Sequence, residues 1–103
     1  MRGRYKKRVQ YEALVNFSNS DLTGQGRVID ITAPGCQIES TQRVVRGQYL
    51  ELRLSLPGGA SPFTVTLAAV RWTKGNRFGV EFIKMGQCDQ EILEEFMAEH
   101  VHD

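Results

Sequence analysis

From Tyr49 to Leu56 apolar and polar residues alternate without a break, with Leu50, Leu52, Leu54 and Leu56 on one side. A period of two sends successive side chains to opposite faces of an extended chain and excludes a helical stripe. Leucine is a weak strand former, so the pattern rather than propensity makes this a strand. Pro57-Gly58-Gly59 ends it. The same period runs from Val9 to Phe17, where Val9, Tyr11, Ala13, Val15 and Phe17 oppose Gln10, Glu12 and Asn16, and Leu14 breaks the rule. Gly26 to Ile31 and Cys36 to Ser40 are short strand candidates, parted by a turn at Thr32-Ala-Pro-Gly35. Asn16 to Gln25 is polar, carries Gly24 and reads as a turn. Phe63 to Trp72 and Arg77 to Ile83 form a hairpin around Thr73-Lys-Gly-Asn76.

The tail changes period. Cys88, Ile92, Leu93, Phe96, Met97 and Val101 recur at helical spacing, and Asp89 is placed to cap the start. About six short strands and one terminal helix predict an all-β fold, a small antiparallel barrel or sandwich with the helix over one open end of the barrel. At 103 residues the chain is long enough for one domain with a single modest core. Its boundaries are a basic arm at 1–8, strands over 9–84 and a helix over 87–102. No apolar stretch approaches the length of a membrane helix, which argues against membrane insertion. Cys36 and Cys88 are far apart and make no CxxC pattern, so both read as reduced cysteines of a cytoplasmic protein, packed as small apolar groups.

The net charge is +1, which excludes bulk nucleic-acid binding through a whole-chain field. Its distribution is informative. Arg2, Arg4, Lys6, Lys7 and Arg8 crowd the start, while Asp89, Glu91, Glu94, Glu95 and Glu99 crowd the end. Arg4-Tyr-Lys-Lys-Arg8 is an RxxxR segment, and Asp30-Ile-Thr-Ala-Pro-Gly35 is a DxTxxG segment. Each is weak alone. Together they place two guanidiniums on an arm, then a carboxylate, a hydroxyl and a glycine on a tight turn. Arg offers a planar fork that matches phosphate oxygens or the O6/N7 edge of guanine. Asp accepts from the N1–H and N2–H₂ edge of guanine, the Thr32 hydroxyl can serve either group, and Gly35 lets backbone approach closely or take positive φ. The plainer readings are a solvated basic terminus, an Asp that caps its own turn, and a Gly that merely closes it.

At this point the sequence resembles a PilZ domain over nearly its whole length. The carriers are Arg4-Tyr-Lys-Lys-Arg8 running into Val9, the Asp30–Gly35 turn, and Val70-Arg-Trp72 through Asn76-Arg-Phe-Gly-Val-Glu-Phe82, followed by a helix. The resemblance implies a six-stranded β-barrel with a C-terminal α-helix that binds cyclic di-GMP, a bacterial second messenger, and acts as an effector module for motility, pili or exopolysaccharide rather than as an enzyme. It implies Arg4, Arg8, Asp30, Thr32 and Gly35 as ligand-binding residues. Thr32 stands where the family usually has Ser; it keeps the hydroxyl and adds a methyl that stiffens χ1. Some PilZ domains lack the arginine arm and do not bind the nucleotide, whereas this chain has both arginines.

Further residues carry two readings each. Lys6 and Lys7 add charge in reach of phosphates or are surface lysines. Trp72 and Arg77 flank the last hairpin, where one could stack on a base; a packed Trp and a solvated Arg are the bland alternatives. His100 and His102 make an HxH with no third ligand nearby, so no metal is expected. No nucleophile–base pair or paired carboxylates stand out, and no cofactor is implied beyond the nucleotide ligand. The arm is expected to order on binding and signal to an unidentified protein partner. The alternative is a ligand-independent interaction module on the same barrel. An RNA-binding barrel ranks last, because most aromatics fall on core positions and the charge is near neutral.

Overall fold

The computed structural model describes residues 13–32, 34–55 and 61–100. Six strands, β1 (Ala13–Ser18), β2 (Thr23–Thr32), β3 (Gly35–Glu39), β4 (Tyr49–Ser55), β5 (Phe63–Lys74) and β6 (Arg77–Met85), precede one helix, α1 (Gln87–His100). They form a closed barrel in the order β1-β2-β3-β6-β5-β4, and all neighbours pair antiparallel. Closure leaves no free sheet edge, so every strand has two partners. The expected all-β barrel with a C-terminal helix is the observed fold.

The interior follows the alternation. Leu50, Leu52 and Leu54 of β4 are fully buried, as are Ala13, Val15 and Phe17 of β1. Each such leucine contributes about 1.5–3 kcal/mol by leaving water. The Phe17 and Phe78 rings meet edge to face, with centroids 5.3 Å apart. Leu14, the residue that broke the pattern, is 63% exposed on the outer face, so the period holds and only its residue type is unusual. The arm at 1–8, Val9 to Glu12, Leu56 to Gly59, Val101 and His102 lie outside the described residues.

Three expectations are corrected. The turn between β1 and β2 spans only Asn19–Leu22, closed by Asn19 Oδ1, which accepts from the Asp21 and Leu22 amides at 2.7 and 3.0 Å. Its glycine misled the sequence reading: Gly24 is a strand residue, where a Cβ would come within 2.7 Å of the Phe17 ring. Asp89 does not cap α1. Its Oδ1 accepts from the Thr64 amide of β5 at 2.9 Å, which ties the first turn of the helix to the sheet. Cys88 is exposed, whereas Cys36 is buried, and both are free. Leu93 and Phe96 carry the packing of α1 onto the core.

Candidate functional site

Two β-bulges shape one patch of the outer barrel face. In β2 the register runs Val28↔Ile38 and then Asp30↔Gln37, so Ile29 is an extra residue. Regular alternation would put Asp30 on the same face as buried Val28. The bulge reverses the parity. Ile31, paired with Cys36, now points into the core, and Asp30 shares the outer face with Gln37. In β5 the register runs Val70↔Val80 and then Trp72↔Gly79, so Arg71 is extra and both Arg71 and Trp72 are exposed.

The pairings Trp72↔Gly79, Gly79↔Gln37 and Gln37↔Asp30 form one row across β5, β6, β3 and β2. Three interstrand steps make it roughly 14 Å long. A Cβ on Gly79 would land on the Trp72 indole, so the ring lies across the glycine and presents its other face outward. Trp72 remains 40% exposed. Gln37 Nε2 donates to Asp30 Oδ2 at 3.4 Å, and Asp30 is 8% exposed. Asp30, Gly35, Gln37, Arg71, Trp72 and Gly79 line a shallow depression of about 240 Å³. Ligand pockets usually hold about 300–1,000 Å³, so these residues make a floor rather than a cavity.

Beneath the floor lies Cys36. Burial, aided by the Asp30 charge, pushes its thiol far up, so it stays protonated and unreactive. Above it the β2–β3 turn is fastened to β6: the Phe82 amide donates to the Pro34 carbonyl at 2.7 Å. Gly35 does not take the positive φ considered from the sequence; among described residues only Gly47 and Gly75 do. Its requirement is close approach, since a Cβ there would run into the Val80 carbonyl oxygen of β6. Thr32 pairs with Gly35 through its backbone, and its side chain lies outside what the structure describes.

The structure therefore brings Asp30, Gly35 and Trp72 together. Arg77 is placed elsewhere, two residues along β6, with its Nε 3.7 Å from Glu39 Oε2. Arg4, Lys6, Lys7 and Arg8 lie outside the described residues. Ala13 stands opposite Val28, so the chain enters β1 from the Asp30 end of β2. Arg71 and Gln37 were missed from the sequence. Strict alternation sets Arg71 and Trp72 on opposite faces, and Gln37 carries no signal until its register is known. Among the described residues no group of three or more His, Cys, Asp or Glu could hold a metal ion, and no helix is long and apolar enough to cross a membrane.

Larger concavities lie elsewhere. One, about 520 Å³, runs over β1 and β2 past Arg27 and Glu39; another, about 670 Å³, lies between α1 and β6 and includes Pro34, Phe82, Leu93 and Met97. Neither contains Asp30 or the floor around it.

No curated protein matches the chain. Among solved structures it is similar to the Bacillus subtilis inhibitor of motility (MotI/DgrA), with a TM-score of 0.74 at 17% identity, over 96% of this chain and 51% of that one. The chain thus spans about half the length of that protein, and the likeness shows the shared barrel. The family model of the PilZ domain matches residues 2–99, a span that takes in the RxxxR segment, the Asp30–Gly35 turn and the Trp72 hairpin. The chain belongs to the PilZ domain family, a family of effector modules in which cyclic di-GMP is the characteristic but not universal ligand.

Proposed function

We propose that this chain is a cyclic di-GMP receptor of the bacterial cytoplasm. The carrying observation is the outer-face row from Asp30 to Trp72, in a family that binds this nucleotide. Each part of the row suits a different part of the ligand. The Trp72 face takes a purine by stacking. The Asp30 carboxylate accepts from the N1–H and N2–H₂ edge that guanine presents and adenine lacks. Gly35 keeps the wall low where the ligand meets β3 and β6, and the Thr32 hydroxyl adds a hydrogen bond at the turn.

The floor needs a roof that supplies positive charge, and the Arg4–Arg8 segment is that roof. It precedes a strand that starts beside Val28, two residues from Asp30. Arg4 and Arg8 grip phosphates and a guanine edge, with Lys7 adding charge. Closing the arm over the nucleotide orders it, and the contacts made must offset that entropy. The ordered arm is the signal to a protein partner in motility, pilus or exopolysaccharide control. The α1–β6 groove favours a second reading, an interaction module that needs no nucleotide.

Calorimetric titration with cyclic di-GMP separates the two. Saturable binding by the wild type, nearly abolished in Arg8→Ala with an unchanged melting temperature, is expected. Wild-type affinity in Arg8→Ala would remove the arm from the site, and no binding by the wild type leaves the interaction module.

A further inference from the structure

Beside the Asp30–Trp72 row stands an ion pair that the proposed site does not yet use. Arg71 Nε donates to Glu81 Oε1 at 2.8 Å, and its Nη2 lies 2.6 Å from the same oxygen. The two side chains are 56% and 44% exposed. Exposed pairs hold weakly and are readily exchanged. Arg71 is the extra residue of the β5 bulge: alternation from buried Val70 sends it outward, and the bulge turns Trp72 to the same face, so both line the depression. Glu81 pairs with Gly35, so its carboxylate stands next to the turn against which the nucleotide would lie.

We propose that Arg71 is a phosphate-binding residue of this site and that Glu81 is its internal stand-in, displaced by a phosphate oxygen when the ligand enters. The inference rests on the cyclic di-GMP reading above. Two features carry it. A bulge is a local departure from the ladder that re-aims side chains, and such departures concentrate beside binding sites. Glu81 also puts a carboxylate beside the path of a dianionic ligand, so an exposed cation must face that ligand for entry to be favourable. Arg71 is that cation. Exchanging one oxyanion for another keeps the guanidinium matched throughout, which a neutral guanine edge does not. The acceptor is therefore assigned as phosphate.

Calorimetry with cyclic di-GMP on the full chain tests this, with the melting temperature of each free variant as a check on folding. Arg71→Ala should bind roughly ten- to a hundredfold more weakly, the loss of a charge-assisted hydrogen bond. Arg71→Lys should recover part of the loss, because a phosphate accepts from an ammonium, whereas a guanine edge needs the fork. Glu81→Gln should bind about two- to fivefold more tightly, because the competitor is gone. That gain should vanish in the Arg71→Ala background. An equal gain in both backgrounds would mean that Glu81 acts by charge alone and would overturn the exchange, and no recovery by lysine would overturn the phosphate assignment. Unchanged affinity in Arg71→Ala would overturn this inference while leaving the cyclic di-GMP reading standing. Absence of binding by the wild type would bring down both.

Discussion

Two adjacent rows on the outer face of the same barrel differ in how they are built. One joins Arg27, Glu39, Arg77 and Lys74 across β2, β3, β6 and β5 in regular pairing. Its charges answer one another: Arg27 Nη2 lies 2.5 Å from Glu39 Oε1, and Arg77 approaches the other carboxylate oxygen. The hydrogen bond from Arg27, opposed by desolvation and supported by the nearby charges of Arg27 and Arg77, holds the Glu39 carboxyl below its ordinary range. The next row, from Asp30 to Trp72, is reached through a bulge in β2 and another in β5. It carries a half-exposed indole on a bare glycine, and a recessed carboxylate. The first row satisfies itself with long side chains in a regular ladder. The second departs from the ladder and sets a half-exposed aromatic face in line with a recessed carboxylate that accepts from Gln37. The same strands thus give an ion-paired regular row and an irregular one within two residues.

The largest effect that would break this contrast falls on the glycine at the rim of the second row. Gly35→Val must push β3 from the Val80 carbonyl, and overpacking of this kind costs about 1–3 kcal/mol or more. In a domain of this size each kcal/mol lowers the melting temperature by roughly 4–8 °C. A thermal melt of Gly35→Val that overlays the wild type would show that the close approach is unimportant.

Asp30→Ala should leave the melt nearly intact and cost about 1–3 kcal/mol of nucleotide affinity, because a guanine edge loses its acceptor. Wild type should prefer cyclic di-GMP over cyclic di-AMP, and the variant should lose that preference. Equal affinities of wild type for the two nucleotides would mean that the site reads charge only.

The sharpest test between the rows pairs Trp72→Ala with Arg77→Ala. Removing the stacking face should weaken binding by about 1–3 kcal/mol. Removing Arg77, whose partner is Glu39, should change affinity by less than about twofold, as expected of an exposed residue outside the site. Fluorescence titration of the single tryptophan follows the nucleotide in the Arg77 variant, and calorimetry follows it in the other. A large loss in Arg77→Ala would move the site toward the first row.

The smallest effect concerns pH. The folded Glu39 carboxyl is depressed, so its contribution to stability is complete above its ordinary value of 4.5 and is lost as pH falls through the lower folded value. Melting temperatures of wild type and Glu39→Gln should differ slightly at neutral pH and converge below that value. A gap that persists unchanged after the Glu39 carboxyl has been protonated, followed by its own NMR titration, would remove the ion pairs from the first row's stability.

Much of the fold is legible in the chain because period-two burial is a local property. Leu50, Leu52 and Leu54 specify one buried face wherever they stand, and Leu93 and Phe96 specify a helix face. The candidate site is legible only where a residue's chemistry and its turn coincide. Asp30 and Gly35 stand out because a carboxylate and a glycine bracket a proline turn. Trp72 and Arg77 looked equivalent beside one hairpin, and pairing separated them: the two-residue turn at Gly75, with φ of +60°, sets Arg77 against Lys74 and Glu39 and leaves Trp72 over Gly79. The polar run from Asn16 to Gln25 reads as a turn because it carries Gly24, and glycine is the usual sign of one. In the barrel Phe17 fills the space that a side chain of Gly24 would take.

The sequence by itself determined the strands, the terminal helix and the chemical kit of arginines, aspartate, hydroxyl and glycine. These follow from side-chain period and residue type, which are carried along one chain. The tertiary structure alone decided which face Asp30 and Trp72 occupy. Ile29 and Arg71 look like ordinary strand residues, and only pairing with β3 and β6 makes them extra. Each shifts the parity of its strand by one, which turns Asp30 out of the core and sets Arg71 beside Trp72. Register is a relation between strands, fixed when the barrel closes, and no single strand encodes it.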